Sequence, residues 1–123
     1  MTRNVRPWIG SEYAAGNLPL KILIVGDSHH GDVASENEMF TIETIQSYLV
    51  KTNPAFAFFT RIMATITRAP YWTVDREKFY QSVAFFNYVD GVAVNFSRER
   101  PSADQFSSSA ANFQNSVDEL NAD

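Results

Sequence analysis

The sequence has no cysteine, which removes disulfides and thiolate metal sites from consideration. It has two histidines in 123 residues, and they are neighbours, His29 and His30. No run of lysine or arginine occurs, and the formal net charge is −4. The basic stripe that usually grips nucleic-acid phosphates is therefore missing, and phosphate contacts would fall to isolated arginines, Arg61, Arg68, Arg98 and Arg100. No apolar run approaches the roughly 18–20 residues of a membrane span. The opening MTRNVRPWIG has no apolar stretch of the kind a secretory signal needs. These absences imply a soluble, cytoplasmic chain with no membrane partner.

What is present is bulk. Hydrophobic residues make up 45% and aromatics 14%, with ten Phe, five Tyr and two Trp, enough to build one core. Residues 1–19, punctuated by Pro7, Gly10, Gly16 and Pro19, read as an irregular lead-in from which Trp8, Ile9 and Tyr13 pack onto the body. Residues 20–123 read as a single α/β domain. Within it, Leu20 to Val25 is a near-continuous apolar run halted by Gly26, the pattern of a strand covered on both faces. A helix is expected from about Glu36 to Val50 with Phe40, Ile45, Tyr48 and Leu49 inward. Ala55, Phe58, Phe59, Ile62 and Ile66 then recur at helical spacing, and Phe56, Phe58 and Phe59 are expected in the core. A short helical turn fits 75–80, a second strand 82–89, and a loop 90–100. Ser102 and Gln105 have capping-box spacing. The last helix follows, with Phe106, Ala110, Phe113, Val117 and Leu120 inward.

Strand, helix, helix, strand, helix points to an α/β layer fold with a parallel sheet. Stopping after that helix leaves one sheet edge bare. Either a second copy covers the edge as a homodimer, or the chain is the N-terminal part of a longer domain, truncated at its C-terminus; the second is the expectation.

The chemistry concentrates in KILIVGDSHHGD, at the end of the first strand. A serine nucleophile is one reading: Gly26-Asp27-Ser28 resembles the opening block of SGNH (GDSL-like) esterases and acyltransferases. Their triad also needs an oriented histidine, and residues 102–123 hold none. A metal would draw on His29, His30, Asp27, Asp32 and Glu36. Adjacent histidines diverge and no i, i+4 pair exists, so neither a metal nor a cofactor is expected.

The third reading is a nucleobase pocket. Strand, Gly-Asp-Ser-His-His-Gly, a helix carrying Met39-Phe40-Thr41, then a strand with Phe86-Asn87-Tyr88-Val89 resembles the uracil-DNA glycosylase superfamily. In that superfamily a G-Q-D-P-Y-H or G-E-A-P-G motif follows the first strand. A downstream aromatic stacks on the extruded base, and an Asn ending a later strand reads its amide edge. Arg98-Glu99-Arg100-Pro101 looks like the R-x-P segment before the family's next helix. Arg6-Pro7-Trp8-Ile9-Gly10 is similar to the lead-in of uncharacterised bacterial members with a G-E-S-H-Y loop. The resemblance implies a three-layer α/β fold and a DNA or nucleotide ligand. It implies catalytic roles for Asp27, Ser28 and His29, with Asp27 matching the Glu of G-E-A-P-G as the water-positioning acid. Gly26, His30, Phe40 and Asn87 would hold the base, and Arg98 and Arg100 would contact phosphate. Ser28 departs from the family by standing where its G-Q-D-P-Y-H members carry Asp, and the His-Pro-Ser motif falls beyond residue 123.

Plainer roles exist for each residue. Phe40 suits a helix core, and Asn87 suits bonding to backbone groups. Asp27 and Ser28 suit capping, His29 and His30 a solvated turn, and Arg98 and Arg100 surface ion pairs. A folded domain without turnover stays open beside the two enzyme readings.

Overall fold

The computed structural model describes residues 5–15, 20–26, 29–30, 38–50, 57–88, 92–94 and 103–122, and at 29–30, 92–94, 105 and 106 the backbone alone. It is a mixed α/β structure. Its main sheet has three strands in the order β1 (Trp8–Ile9), β4 (Ala84–Asn87), β2 (Leu23–Gly26). All four residues of β4 are buried, as a central strand requires. β2 runs parallel to it with Leu23 opposite Ala84 and Gly26 opposite Asn87. A second pair, β3 (His29–His30) and β5 (Val92–Val94), is also parallel.

The sheet differs from a purely parallel one because the lead-in contributes a strand. Trp8 pairs antiparallel with Phe85, and Ile9 with Ala84. Two residues are too few to show a period of two in the sequence; tertiary bonds hold them instead. The Trp8 indole N–H donates to the Tyr80 carbonyl at 2.8 Å, and the Gly10 amide donates to the Val83 carbonyl at 2.9 Å. Gly10 lies so close to the backbone of Tyr80 and Gln81 that a Cβ would collide with the Gln81 carbonyl. β2 departs from expectation too. Among the described residues it is an edge strand and Val25 is exposed, while Ile24 packs against one core and Leu23 against the other. Val92–Val94, expected within a loop, is a strand because it pairs beside the continuation of β2.

Among the described residues four α-helices flank the strands: α1 (Phe40–Leu49), α2 (Ala57–Thr67), α3 (Arg76–Gln81) and α4 (Ala103–Leu120). α3 starts where the Asp75 carboxylate accepts from the Lys78 amide at 3.1 Å, an N-cap. Alternation along β4 separates two cores. Val83 and Phe85 face Ile45, Tyr48, Phe59, Met63, Phe79 and Tyr80, while Ala84 and Phe86 face Tyr13, Leu120, Phe113 and Val117. Helices thus cover both faces.

Two helices bury positions other than those expected, although on α4 Phe113, Val117 and Leu120 pack inward as expected. On α2 the buried pair is Phe59 and Met63, four residues apart. Phe58 is 52% exposed and Ile66 is exposed too, which corrects the placing of Phe58 in the core; Phe56 lies outside the described residues. On α4, Ala110 is exposed and Ser109 and Ser116 are buried. The serines face inward because the helix needs small residues there, and the Ser116 hydroxyl satisfies itself on the Asn112 carbonyl at 2.7 Å. α2 ends at Arg68, whose φ of 54° is left-handed, a conformation that costs a non-glycine residue about 1 kcal/mol.

Candidate functional site

Because β2 and β4 are parallel and in register, they end at one level, with Gly26 beside Asn87. The Tyr88 amide adds a further rung by donating to the Gly26 carbonyl at 2.9 Å. Beyond that rung the chain after each strand pairs again, His29 opposite Val92 and His30 opposite Val94 with an irregularity between them. β3 and β5, next in the chain after β2 and β4, are thus a second parallel pair, and the carboxyl ends of parallel strands are the usual location of ligands in open α/β sheets.

Asn87 follows Phe85 by two residues and shares its face, and Gly26 likewise follows Ile24. Asn87 is only 7% exposed. Its carboxamide oxygen lies over Gly26, where a Cβ would collide with it and would also sit 3.0 Å from the Phe85 ring. A side chain at 26 would thus make the Asn87 amide swing aside, and glycine leaves the amide in its place.

The start of α1 reaches the same corner. β1 is antiparallel to β4, so Val5 and Arg6, preceding Trp8, flank the Asn87 end of the central strand. There the Arg6 amide donates to the Glu38 carbonyl at 2.7 Å, and its guanidinium pairs with the Glu38 carboxylate at 3.2 Å. Both side chains are well exposed, so the pair adds about 1 kcal/mol at most; its effect is positional. It fixes the residues just before α1, and Phe40, half-buried, opens that helix. Gly26 and Asn87 adjoin at the carboxyl ends of β2 and β4, and α1, which Phe40 opens, packs on the face that Phe85 occupies.

The other sequence candidates divide plainly. Asp27, Ser28, Arg98 and Arg100 lie outside the described residues. His29 and His30 are placed as backbone only, in β3. Arg61 and Arg68 belong to α2 and its end, away from the strand termini. Among the described residues no group of three His, Cys, Asp or Glu is arranged to hold a metal ion, and no helix is long and apolar enough to cross a membrane. Of the titratable groups, Tyr80 stands out. Burial, with Tyr48 nearby as the smaller cause, pushes its phenol far above the ordinary range. Its hydroxyl donates to the Phe59 carbonyl at 2.6 Å, a structural role inside the core.

Sequence reasoning overlooked Arg6 and Glu38 as the fastening of the site, since residues 32 apart carry no local signal. It also overlooked a concavity of about 730 Å³, walled by the end of α1, by α2 and by residues between 71 and 77. Pro70-Tyr71-Trp72-Thr73 was the available signal for it, two large aromatics on a turn. No family model, curated protein or solved structure matches this chain.

Proposed function

We propose that this chain is a nucleobase-binding α/β domain of uracil-DNA glycosylase-like, three-layer type, with its pocket at the carboxyl ends of β2 and β4. The observation that carries the reading is the buried Asn87 amide at the end of the central strand, beside a glycine. A carboxamide offers a donor and an acceptor side by side, the complement of the carbonyl and N–H edge of a uracil-type base. An extruded base needs such an edge reader and a flat apolar face. Phe40, at the start of α1, supplies the face in this reading, and Asp27, the residue after β2 in the sequence, is the acid that positions water near the sugar. Arg98 and Arg100 contact phosphate in this reading. With a net charge of −4, affinity rests on base contacts, and its salt dependence is shallow.

The test is titration of the ¹⁵N-labelled protein with uracil, uridine monophosphate and a short uracil-containing single strand. The Asn87 side-chain amide resonances should shift, and the shift should disappear in Phe40→Ala. Release of free uracil from the oligonucleotide, lost in Asp27→Asn, extends the reading from binding to catalysis. If none of the three ligands moves the Asn87 amide at millimolar concentration, the reading fails. Covalent capture of Ser28 by a fluorophosphonate would replace it with an ester hydrolase.

A further inference from the structure

The concavity walled by α2 and residues between 71 and 77 lies at the end of α1 away from Phe40. Tyr48 and Leu49, at the end of that helix, help wall it, about 13 Å along the axis from Phe40 at ~1.5 Å per residue. Its volume, about 730 Å³, lies within the range of roughly 300–1,000 Å³ typical of small-molecule sites. Three features give it a chemistry.

The first is an aromatic corner. Trp72 is 75% exposed and Tyr71 57%, and their rings meet edge to face at 5.2 Å and 85°. They are held by a tight 3-10 turn. The Thr73 amide and hydroxyl both donate to the Pro70 carbonyl, at 3.0 and 2.7 Å, and the Val74 amide donates to the Tyr71 carbonyl at 3.3 Å. A large apolar surface kept in water on a rigid turn is a common mark of a binding site. The second is a fixed donor. The half-buried Arg76 guanidinium lies over the Tyr48 ring at 4.6 Å and donates to the Tyr48 carbonyl at 3.0 Å. No carboxylate among the described residues pairs with it, so its remaining N–H groups are oriented without being neutralised. The third is a pair of acceptors, Asp75 and Glu77, on the same wall. One Asp75 oxygen caps α3; the other oxygen and the exposed Glu77 carboxylate face water.

We propose that this cleft binds a neutral saccharide. Two carboxylates beside one guanidinium disfavour an anion, and the pinned guanidinium disfavours a cation. A polyhydroxylated ring fits both. Its hydroxyls donate to Asp75 and Glu77 and accept from Arg76, while its C–H face lies on the Trp72 indole. This site is separate from the base pocket and stands or falls without it.

The two tryptophans make the test direct. Trp8 is buried and hydrogen-bonded in the core, so changes in the emission of exposed indole report Trp72. The full chain is titrated with di-N-acetylchitobiose, cellobiose and maltotriose, with glucuronate and glucosamine as charged comparators. Binding is read by fluorescence and independently by saturation-transfer NMR. At least one neutral oligosaccharide should bind, more tightly than either comparator. Its Kd should weaken about tenfold or more in both Trp72→Ala and Arg76→Met, a factor worth about 1.4 kcal/mol, with far-ultraviolet circular dichroism unchanged. Trp72→Ala removes an exposed side chain and keeps the test valid if Arg76→Met loosens the fold. The proposal is overturned if no neutral sugar gives saturation transfer at millimolar concentration. It is equally overturned by binding that survives Trp72→Ala, or by preference for a charged comparator. A Trp72 emission change that follows protein concentration alone would assign the surface to a second copy of the chain.

Discussion

The two faces of the sheet are built on different principles. On the α1–α3 side, aromatic rings interlock: Tyr80 meets Tyr48 at 5.7 Å and 82°, and Phe59 at 5.8 Å and 87°. Phe59 meets Phe85 at 5.5 Å and 67°. Hydrogen bonds at the ring tips, Tyr80 to the Phe59 carbonyl and Tyr48 with the Thr60 hydroxyl at 2.8 Å, fix the lattice. On the α4 side the helix comes in on serines, Ser109 and Ser116, with Phe113 tilted against Phe86 at 6.0 Å and Leu120 at the far end. One face gains stability from volume and ring geometry; the other gains it from close approach of a slender helix. Substitutions should read out that contrast.

The largest effect is expected on the aromatic face. Phe59→Ala opens a cavity among four rings and should cost about 3–5 kcal/mol, whereas Leu120→Ala on the other face should cost nearer to ~2 kcal/mol. Urea denaturation of the two variants measures the gap, and equal losses would dissolve the contrast. Overfilling is the way to hurt the α4 side: Ser116→Leu, at a fully buried position, should push α4 off the sheet at about 1–3 kcal/mol. A smaller effect separates ring-tip bonding from packing. Tyr80→Phe keeps the ring and removes one buried hydrogen bond, for about 1 kcal/mol at neutral pH. It should also flatten the alkaline limb of stability. The folded-state pKa of Tyr80 is raised. The stability linked to it is therefore intact below the unfolded tyrosine value of about 10 and is lost as pH climbs beyond it, because the unfolded chain ionises first. Urea midpoints of wild type and Tyr80→Phe, compared in neutral and strongly alkaline buffer, test the sign. Least of all, Ser116→Ala should stay within about 0.5 kcal/mol of wild type, since the hydroxyl's bond to the Asn112 carbonyl lies within its own helix.

The same contrast explains what could be read beforehand. The helical segments of α1, α2 and α4 were legible because residues such as Ile45, Tyr48, Phe59, Phe113, Val117 and Leu120 repeat with helical period. Facing was legible less often. On α2 the choice between Phe58 and Phe59 rests on which ring fits between Tyr48 and Phe85, a matter of shape that hydrophobicity does not encode. On α4 the inward serines invert the usual rule that polar residues face water. β1 was hidden because its pairing spans more than seventy residues, and β5 because three residues after a glycine resemble a loop. At the candidate site, Asn87 inside an apolar strand was visible as an anomaly. That Gly26 makes room for its amide required the strand register.

The lead-in that closes the sheet also sets an order of events. Trp8 is bonded to Tyr80, 72 positions later, and the Tyr13 hydroxyl to the Leu120 carbonyl, 107 positions later. Contacts so distant in sequence slow folding, because the chain must close large loops before they are rewarded. During synthesis Trp8 emerges long before Phe85, its partner in the sheet. At ~5–20 residues per second that interval lasts about 4–15 s. β1 thus leaves the ribosome well before the strand it pairs with, and the growing chain carries Trp8 unpaired until the central strand arrives.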